Sequence, residues 1–150
     1  MRNTIIPATI LLAACGGGGF DAPACDADEV TIRLSNDDGV MEDSQGPISQ
    51  YGFVNAINGQ NGTLDITVGV SATLHLEWQE LVANGDSVPA RGVVLFGGEL
   101  DVGTCDFTGT LAVDDDGNGG TFELTGLFAQ PPPCTTAVAG TLTGCFRQGP

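Results

Sequence analysis

The chain has 150 residues and a formal net charge of −15, with 19 acidic residues against four arginines and no lysine. Binding to nucleic acid depends on basic side chains that neutralise phosphates, so this charge argues against a nucleic-acid partner. It also argues against attachment to anionic lipid headgroups through a basic patch. The length suits one domain with a modest core.

Residues 1–14 have the composition of an export signal. Arg2 carries their only charge, and the apolar run over residues 4–14 is about half the roughly 20 residues that a transmembrane helix needs. The run contains Pro7 and is soon followed by four consecutive glycines, which are poor helix formers. The sequence therefore predicts a signal peptide over residues 1–14 and not a membrane-spanning helix.

The end of this run, Leu12-Ala13-Ala14-Cys15, resembles the bacterial lipobox. The resemblance implies that a dedicated peptidase cleaves before Cys15, that the thiol of Cys15 carries a diacylglycerol, and that its amino group is acylated. Gly16 follows where enteric inner-membrane lipoproteins have Asp, which favours the outer membrane. We therefore expect a lipoprotein of the bacterial cell envelope, anchored to the membrane through lipid, with residues 15–28 as a flexible tether.

The cysteine count supports export. Five cysteines are present, and assigning Cys15 to lipid leaves Cys25, Cys105, Cys134 and Cys145 for two disulfides in an oxidising compartment. If the segment between the last two is one strand, they lie roughly 35 Å apart, beyond the about 7 Å that a disulfide allows. A hairpin in the preceding segment brings Cys105 near Cys134. Of the three connectivities, the sequence favours Cys25–Cys145 with Cys105–Cys134; the absence of a C-x₂-C pair disfavours zinc.

Alternating polar and apolar residues begin near Val30 and predict strands. Residues 30–34 form the first, and the turn formers and acids of residues 35–47 predict an exposed acidic loop. Residues 51–57 fit either a strand or a short helical turn. Every even position over residues 64–78 is apolar, which predicts a strand that turns near residues 69–71, because one straight strand of this length would exceed the domain.

Further strands follow to the end of the chain. Residues 93–96 are apolar at every position, which predicts a strand covered on both faces. A Gly-Thr-(Leu/Phe) tripeptide recurs at Gly62, Gly109, Gly120 and Gly140, and we interpret its Gly as a bend and its Thr as an outward residue. Residues 29–150 are thus predicted to be one all-β domain: a disulfide-stapled antiparallel β-sandwich or small β-barrel of about 7–8 strands. Three later alternating segments carry Phe107, Leu111 and Val113, then Phe122, Leu124 and Phe128, then Val138, Leu142 and Phe146.

One stretch suggests a metal. Asp114, Asp116 and Asn118, followed by Gly119, match the first half of a calcium loop. The match fails at its twelfth position, where Thr125 stands in place of a bidentate Glu. A tight acidic hairpin turn explains the same residues, so calcium is the one cofactor that the sequence raises.

Catalytic motifs are weak. His75, the single histidine, lies on a predicted strand next to Glu77, and no G-x-S-x-G motif accompanies it. We interpret His75 as a surface residue and Trp78 as part of the core or a barrel rim. The sequence therefore favours a binding or structural role in the cell envelope. A carrier with an apolar ligand in a barrel cavity, a calcium-binding module and a hydrolase that uses clustered acids remain alternatives.

Overall fold

The computed structural model describes residues 25–97, 102–129 and 138–149. Within them every regular element is a strand, and there is no helix long and apolar enough to cross a membrane. Each strand pairs antiparallel with the next along the chain, and the last pairs with the first, which closes a barrel. The all-β prediction is confirmed, and of its two forms the barrel is the one observed. The strands are β1 Glu29–Asn36, β2 Gly39–Val54, β3 Gly62–Val68, β4 Ala72–Trp78, β5 Ser87–Phe96, β6 Val102–Val113, β7 Gly119–Ala129 and β8 Val138–Arg147.

The barrel interior is filled by the apolar side chains that alternate along the strands. An inward residue recurs at every second position of a barrel strand, and in an eight-stranded barrel such residues fill the interior. The alternation predicted for residues 64–78 is confirmed in β3 and β4, whose even positions are buried. The largest side chains of this one cluster are Ile32, Leu34, Leu64, Ile66, Leu74, Leu76, Trp78, Phe107, Leu111, Phe122, Leu124 and Phe146.

The predicted turn within residues 64–78 is also confirmed. Val68 and Ala72 face each other as the last pair of the β3–β4 ladder, so the turn occupies residues 69–71. Gly69 takes a positive φ of 53°, which glycine adopts without steric cost. Val70 continues the apolar parity but lies at the tip of the turn and is 97% exposed.

The acidic loop predicted over residues 35–47 is wrong, because β2 begins at Gly39 and only residues 37 and 38 form the turn. The backbone ladder to β1 and, further along, the ladder to β3 hold β2 as a strand. An ion pair between Arg33 and Asp43, 2.8 Å apart, adds a cross-strand contact. Most β2 side chains near this turn are exposed, so the hydrophobic alternation that reveals a strand is missing there. The same strand runs on to Val54, so of the two alternatives predicted for residues 51–57, the strand is the one observed over residues 51–54.

The prediction that residues 93–96 are covered on both faces is wrong as well. Val94 and Phe96 are buried in the barrel, whereas Leu95 points outward and is 57% exposed. A single closed sheet has only one interior, and the described residues form no second layer over this strand.

Two inward glycines leave room for large rings. A Cβ at Gly62 would overlap the indole ring of Trp78, and a Cβ at Gly144 would lie 2.5 Å from Cζ of Phe122. In the Gly-Thr-(Leu/Phe) tripeptide at Gly62, Thr63 is half-buried on the outer side and Leu64 is buried. The tripeptide thus places its Thr outward, as predicted, while its Gly here makes room for a neighbouring ring.

A disulfide joins Cys25 to Cys145 across a sequence separation of 120, with the Cα atoms 5.6 Å apart. This half of the predicted pairing is confirmed. Cys134 lies outside the described residues and the side chain of Cys105 is not described, so their pairing stays a prediction. The predicted signal peptide and the predicted lipidation of Cys15 likewise fall outside the described residues.

Candidate functional site

The candidate site lies at one end of the barrel, which we call the lower end. The antiparallel order places there the segment before β1, the segment after β8, and the connections formed by residues 55–61, 79–86 and 114–118. The disulfide of Cys25 ties the first of these segments to β8. The amide of Gly149 donates a hydrogen bond of 2.7 Å to Asp28 Oδ1, which joins the two flanking segments of the chain.

Asn55 links two of the lower-end connections. Its Oδ1 accepts hydrogen bonds from the amides of Ala56, at 2.9 Å, and Val82, at 3.1 Å. The same oxygen lies 3.3 Å from the donating Nε1 of Trp78. Its Nδ2 donates to the carbonyl oxygen of Val82 at 2.6 Å. One side chain therefore holds the 55–61 loop, the 79–86 loop and the buried indole in a fixed arrangement.

The 55–61 loop contains a tight turn that presents Ile57. The amide of Gln60 donates to the carbonyl of Ile57 at 3.0 Å, and the two residues between them, Asn58 and Gly59, have φ values of 53° and 80°. Positive φ at both central positions is typical of a type I′ turn, for which Asn-Gly is a preferred pair. Ile57 is 61% exposed, and Leu81 on the neighbouring loop is 70% exposed. Both line an open cleft of about 310 Å³ between the loops.

A second cleft opens beside the first where β4 and β5 separate. The ladder between these strands ends at the pair Glu77 and Arg91, although β5 begins four residues earlier, at Ser87. The gap forms a cleft of about 300 Å³ whose lining includes Trp78, Val88, Glu77 and Arg91. We call it the β4–β5 cleft. It combines an apolar floor with a charged rim and is open to solvent.

A row of polar side chains crosses the outer face of β3, β4 and β5 at the rim of this cleft. Asp65 Oδ1 lies 2.6 Å from His75 Nδ1, and His75 Nε2 lies 3.4 Å from Glu77 Oε1. Glu77 Oε2 accepts hydrogen bonds from Arg91 Nε, at 3.1 Å, and Arg91 Nη2, at 2.7 Å. His75 thus lies on the outer face, as predicted, between two carboxylates.

These contacts shift two pKa values in opposite directions. The hydrogen bond that the Asp65 carboxylate accepts is the main cause that raises the pKa of His75 above 6.5; burial opposes it, and the Glu77 contact adds to it. The hydrogen bonds from Arg91 and then His75 lower the pKa of Glu77. Both ring nitrogens of the histidine are directed at carboxylates, and Glu77 contacts both His75 and Arg91.

The predicted calcium residues lie in the β6–β7 turn, where Arg147 occupies their carboxylates. Arg147 Nη1 lies 3.0 Å from Asp114 Oδ2, and its Nη2 contacts Asp116 Oδ2. The amide of Asn118 donates to Asp116 Oδ1 at 3.0 Å, and this bond, followed by the contact with Arg147, lowers the pKa of Asp116. Gly117 takes a φ of 72°, as a tight turn requires. A calcium ion here would have to displace the guanidinium, and the described residues contain no group of three or more His, Cys, Asp or Glu side chains placed to hold a metal.

Sequence reasoning found His75 and the β6–β7 turn but missed Asn55 and the loops that it joins. The Asn58-Gly59 dipeptide is a local signal that could have located the first loop. Nothing local marks Asn55 as a linking residue, because Trp78 and Val82 are more than 20 residues away in the sequence.

No protein-family model, no curated protein and no solved structure matches this chain. Its function is therefore inferred from its residues and their geometry alone.

Proposed function

We propose that this chain is a lipid-anchored β-barrel domain of the bacterial cell envelope that acts by binding and is held at the outer membrane through Cys15. The disulfide between Cys25 and Cys145 is the observation that carries the proposal. Such bonds persist in oxidising compartments outside the cytoplasm. This supports the export that the lipobox resemblance implies, and because five is an odd number, at least one cysteine cannot pair within the chain and is left for a lipid.

The hydrogen bonds and ion pairs of the polar side chains favour binding over catalysis. A general base needs a ring nitrogen within reach of the group whose proton it removes. The hydrogen bonds described for His75 go to Asp65 and Glu77, neither of which needs activation as a nucleophile. In the β6–β7 turn, Asp114 and Asp116 form ion pairs with Arg147.

The outer surface offers more room for a ligand than the described interior does. The buried side chains form one continuous hydrophobic cluster inside the barrel. Four clefts lined by described residues, of about 200 to 470 Å³, all open to solvent. A carrier that encloses an apolar ligand needs interior space, which the hydrophobic cluster fills. Among the open clefts, the β4–β5 cleft combines an apolar floor with a charged rim, and we place ligand binding there.

The anchor is tested by expressing the full chain in a bacterial host and analysing the purified protein by mass spectrometry. We expect the wild type to begin at residue 15 and to carry the mass of acyl chains on Cys15. Cys15→Ser should lose that mass, whereas Cys25→Ser, which also removes one cysteine, should keep it. A wild-type protein that starts elsewhere and carries no acyl mass would refute the proposal.

A further inference from the structure

We infer that Ile57 and Leu81 form a lipid-contacting tip through which the lower end of the barrel docks on the membrane that holds Cys15. The inference rests on the proposed lipid anchor and adds an orientation to it. The occupant of the open cleft between the two loops is, in this inference, the interfacial region of a bilayer with zwitterionic headgroups.

The first support is that the tip is built in advance. Ile57 and Leu81 are each more than half exposed, and they line the same cleft although they come from different loops. Asn55 fixes the spacing of the loops through its hydrogen bonds to Val82. A contact surface that is already ordered loses little conformational entropy when it binds.

The second support is the charge of the loops. Residues 55–61 contain no charged side chain, and neither do residues 81–85, in a chain of net charge −15. Charged groups resist transfer into an apolar environment, so these loops can approach the acyl chains at low cost. Glu80 and Asp86 flank the second loop, and Asp115 of the β6–β7 turn lies beside Gly85; these carboxylates would be repelled by anionic lipid, so the bilayer that fits this end has zwitterionic headgroups.

The third support is the place where the tether joins the barrel. Cys25 lies ten positions after Cys15, so even a fully extended tether spans only about 35 Å. The disulfide fixes Cys25 to Cys145 on β8, and Cys25 lies four positions before the start of β1 at the lower end. Tethering of this length raises the effective concentration of the tip at the membrane, so a weak apolar contact is sufficient for docking.

The opposite end provides a matched control. Val70 is the most exposed large apolar residue described, and Leu127 is half exposed near the end of β7. Both lie toward the upper end, away from the segment that leads to Cys15. If exposure alone caused membrane contact, these residues would contribute as much as Ile57 and Leu81.

Trp78, the single tryptophan, reports docking without a label. It is buried beneath the lower-end loops and donates its indole N–H to Asn55. The acylated full chain is reconstituted in phosphatidylcholine vesicles with or without bromine on the acyl chains, since bromine quenches tryptophan emission only at short range. The wild type is compared with Ile57→Asn/Leu81→Asn and with Val70→Asn/Leu127→Asn.

We expect the emission of the wild type and of the upper-end variant to be lower in brominated than in plain vesicles. Each lower-end substitution should reduce the ratio of docked to undocked barrel about ten-fold, so the double variant should show equal emission in both. All four positions are exposed, and equal melting temperatures verify that the variants fold.

Mass spectrometry of the same samples distinguishes a failure of the docking inference from a failure of the proposed anchor. A wild type that is acylated at Cys15 but emits equally in both kinds of vesicle overturns the docking and leaves the anchor in place. A wild type without acylation overturns both. Loss of quenching in the upper-end variant to the same extent as in the lower-end variant overturns the assignment of the tip to Ile57 and Leu81.

Discussion

Removing the disulfide between Cys25 and Cys145 should cost the barrel a large part of its stability. The bond spans a sequence separation of 120, and in the loop-entropy account a closed loop of this length restricts the unfolded chain by about 5 kcal/mol at 25 °C. Measured values for natural disulfides fall at or below that bound, so we expect Cys25→Ala/Cys145→Ala to lose about 3–5 kcal/mol. Domains are typically stable by about 5–15 kcal/mol, and the variant should still fold at low temperature.

The expected loss of stability depends little on whether Cys105 and Cys134 form a disulfide. A bond between Cys105 and Cys134 would bypass roughly 30 residues of the loop, and the logarithmic dependence on loop length changes the result by only about 0.2 kcal/mol. Alanine is the better replacement at Cys145, because this residue is buried and a serine hydroxyl there would need a partner.

The assay is equilibrium unfolding in urea, followed by the emission of Trp78 and carried out with Cys15→Ser in every sample to avoid lipid. The control is Cys15→Ser alone. The dependence of the unfolding free energy on urea should also become steeper, since an unfolded chain without the bond exposes more surface. A loss of stability below about 1 kcal/mol would refute the view that the bond restrains the unfolded chain.

Two further changes test the interior and the outer face of the barrel. Gly62→Ala should lower the free energy of unfolding by about 1–3 kcal/mol, because its Cβ would overlap the buried ring of Trp78. Gly52→Ala, whose Cβ would lie 3.8 Å from the nearest atom, should change it by no more than about 0.5 kcal/mol. Similar losses for the two variants in urea unfolding would contradict the close approach at Gly62. The raised pKa of His75 means that its contribution to stability is full below about pH 6.5 and is lost as the pH rises through the folded value. Titration of the single histidine by NMR should give a pKa above 6.5, and Asp65→Asn should lower it; the same pKa in both proteins would show that the hydrogen bond is not the cause.

The strands that could be predicted from the sequence are those with one buried face. In β3 and β4 each apolar residue is followed by a polar one, because only one side of the sheet meets the interior. The first part of β2 escaped prediction, since its ladder partners hold it as a strand while most of its side chains face solvent. Its acids and glycines resemble a loop in every local property. Backbone pairing with the neighbouring strands leaves no such periodic trace.

Closure of the barrel could not be predicted from the periodicity of the sequence either. The alternation of apolar residues is identical in a sandwich and in a barrel, so the decision depends on whether β1 pairs with β8. The predicted bond between Cys25 and Cys145 joined the two ends of the domain correctly, but such a bond is compatible with either form. The role of Asn55 could not be predicted because two of its partners are far from it in the sequence. Trp78 ends β4, and Val82 lies in the connection that follows.

Ion pairing explains why a membrane contact of this protein has to be apolar. The three arginines of the described residues, Arg33, Arg91 and Arg147, all contact carboxylates of neighbouring strands or turns. None of these pairs leaves a cationic surface that could attract an anionic headgroup, and the remaining acids would be repelled by one. Under the proposed anchor, attachment would depend on the lipid, and close contact would depend on the uncharged loops that carry Ile57 and Leu81.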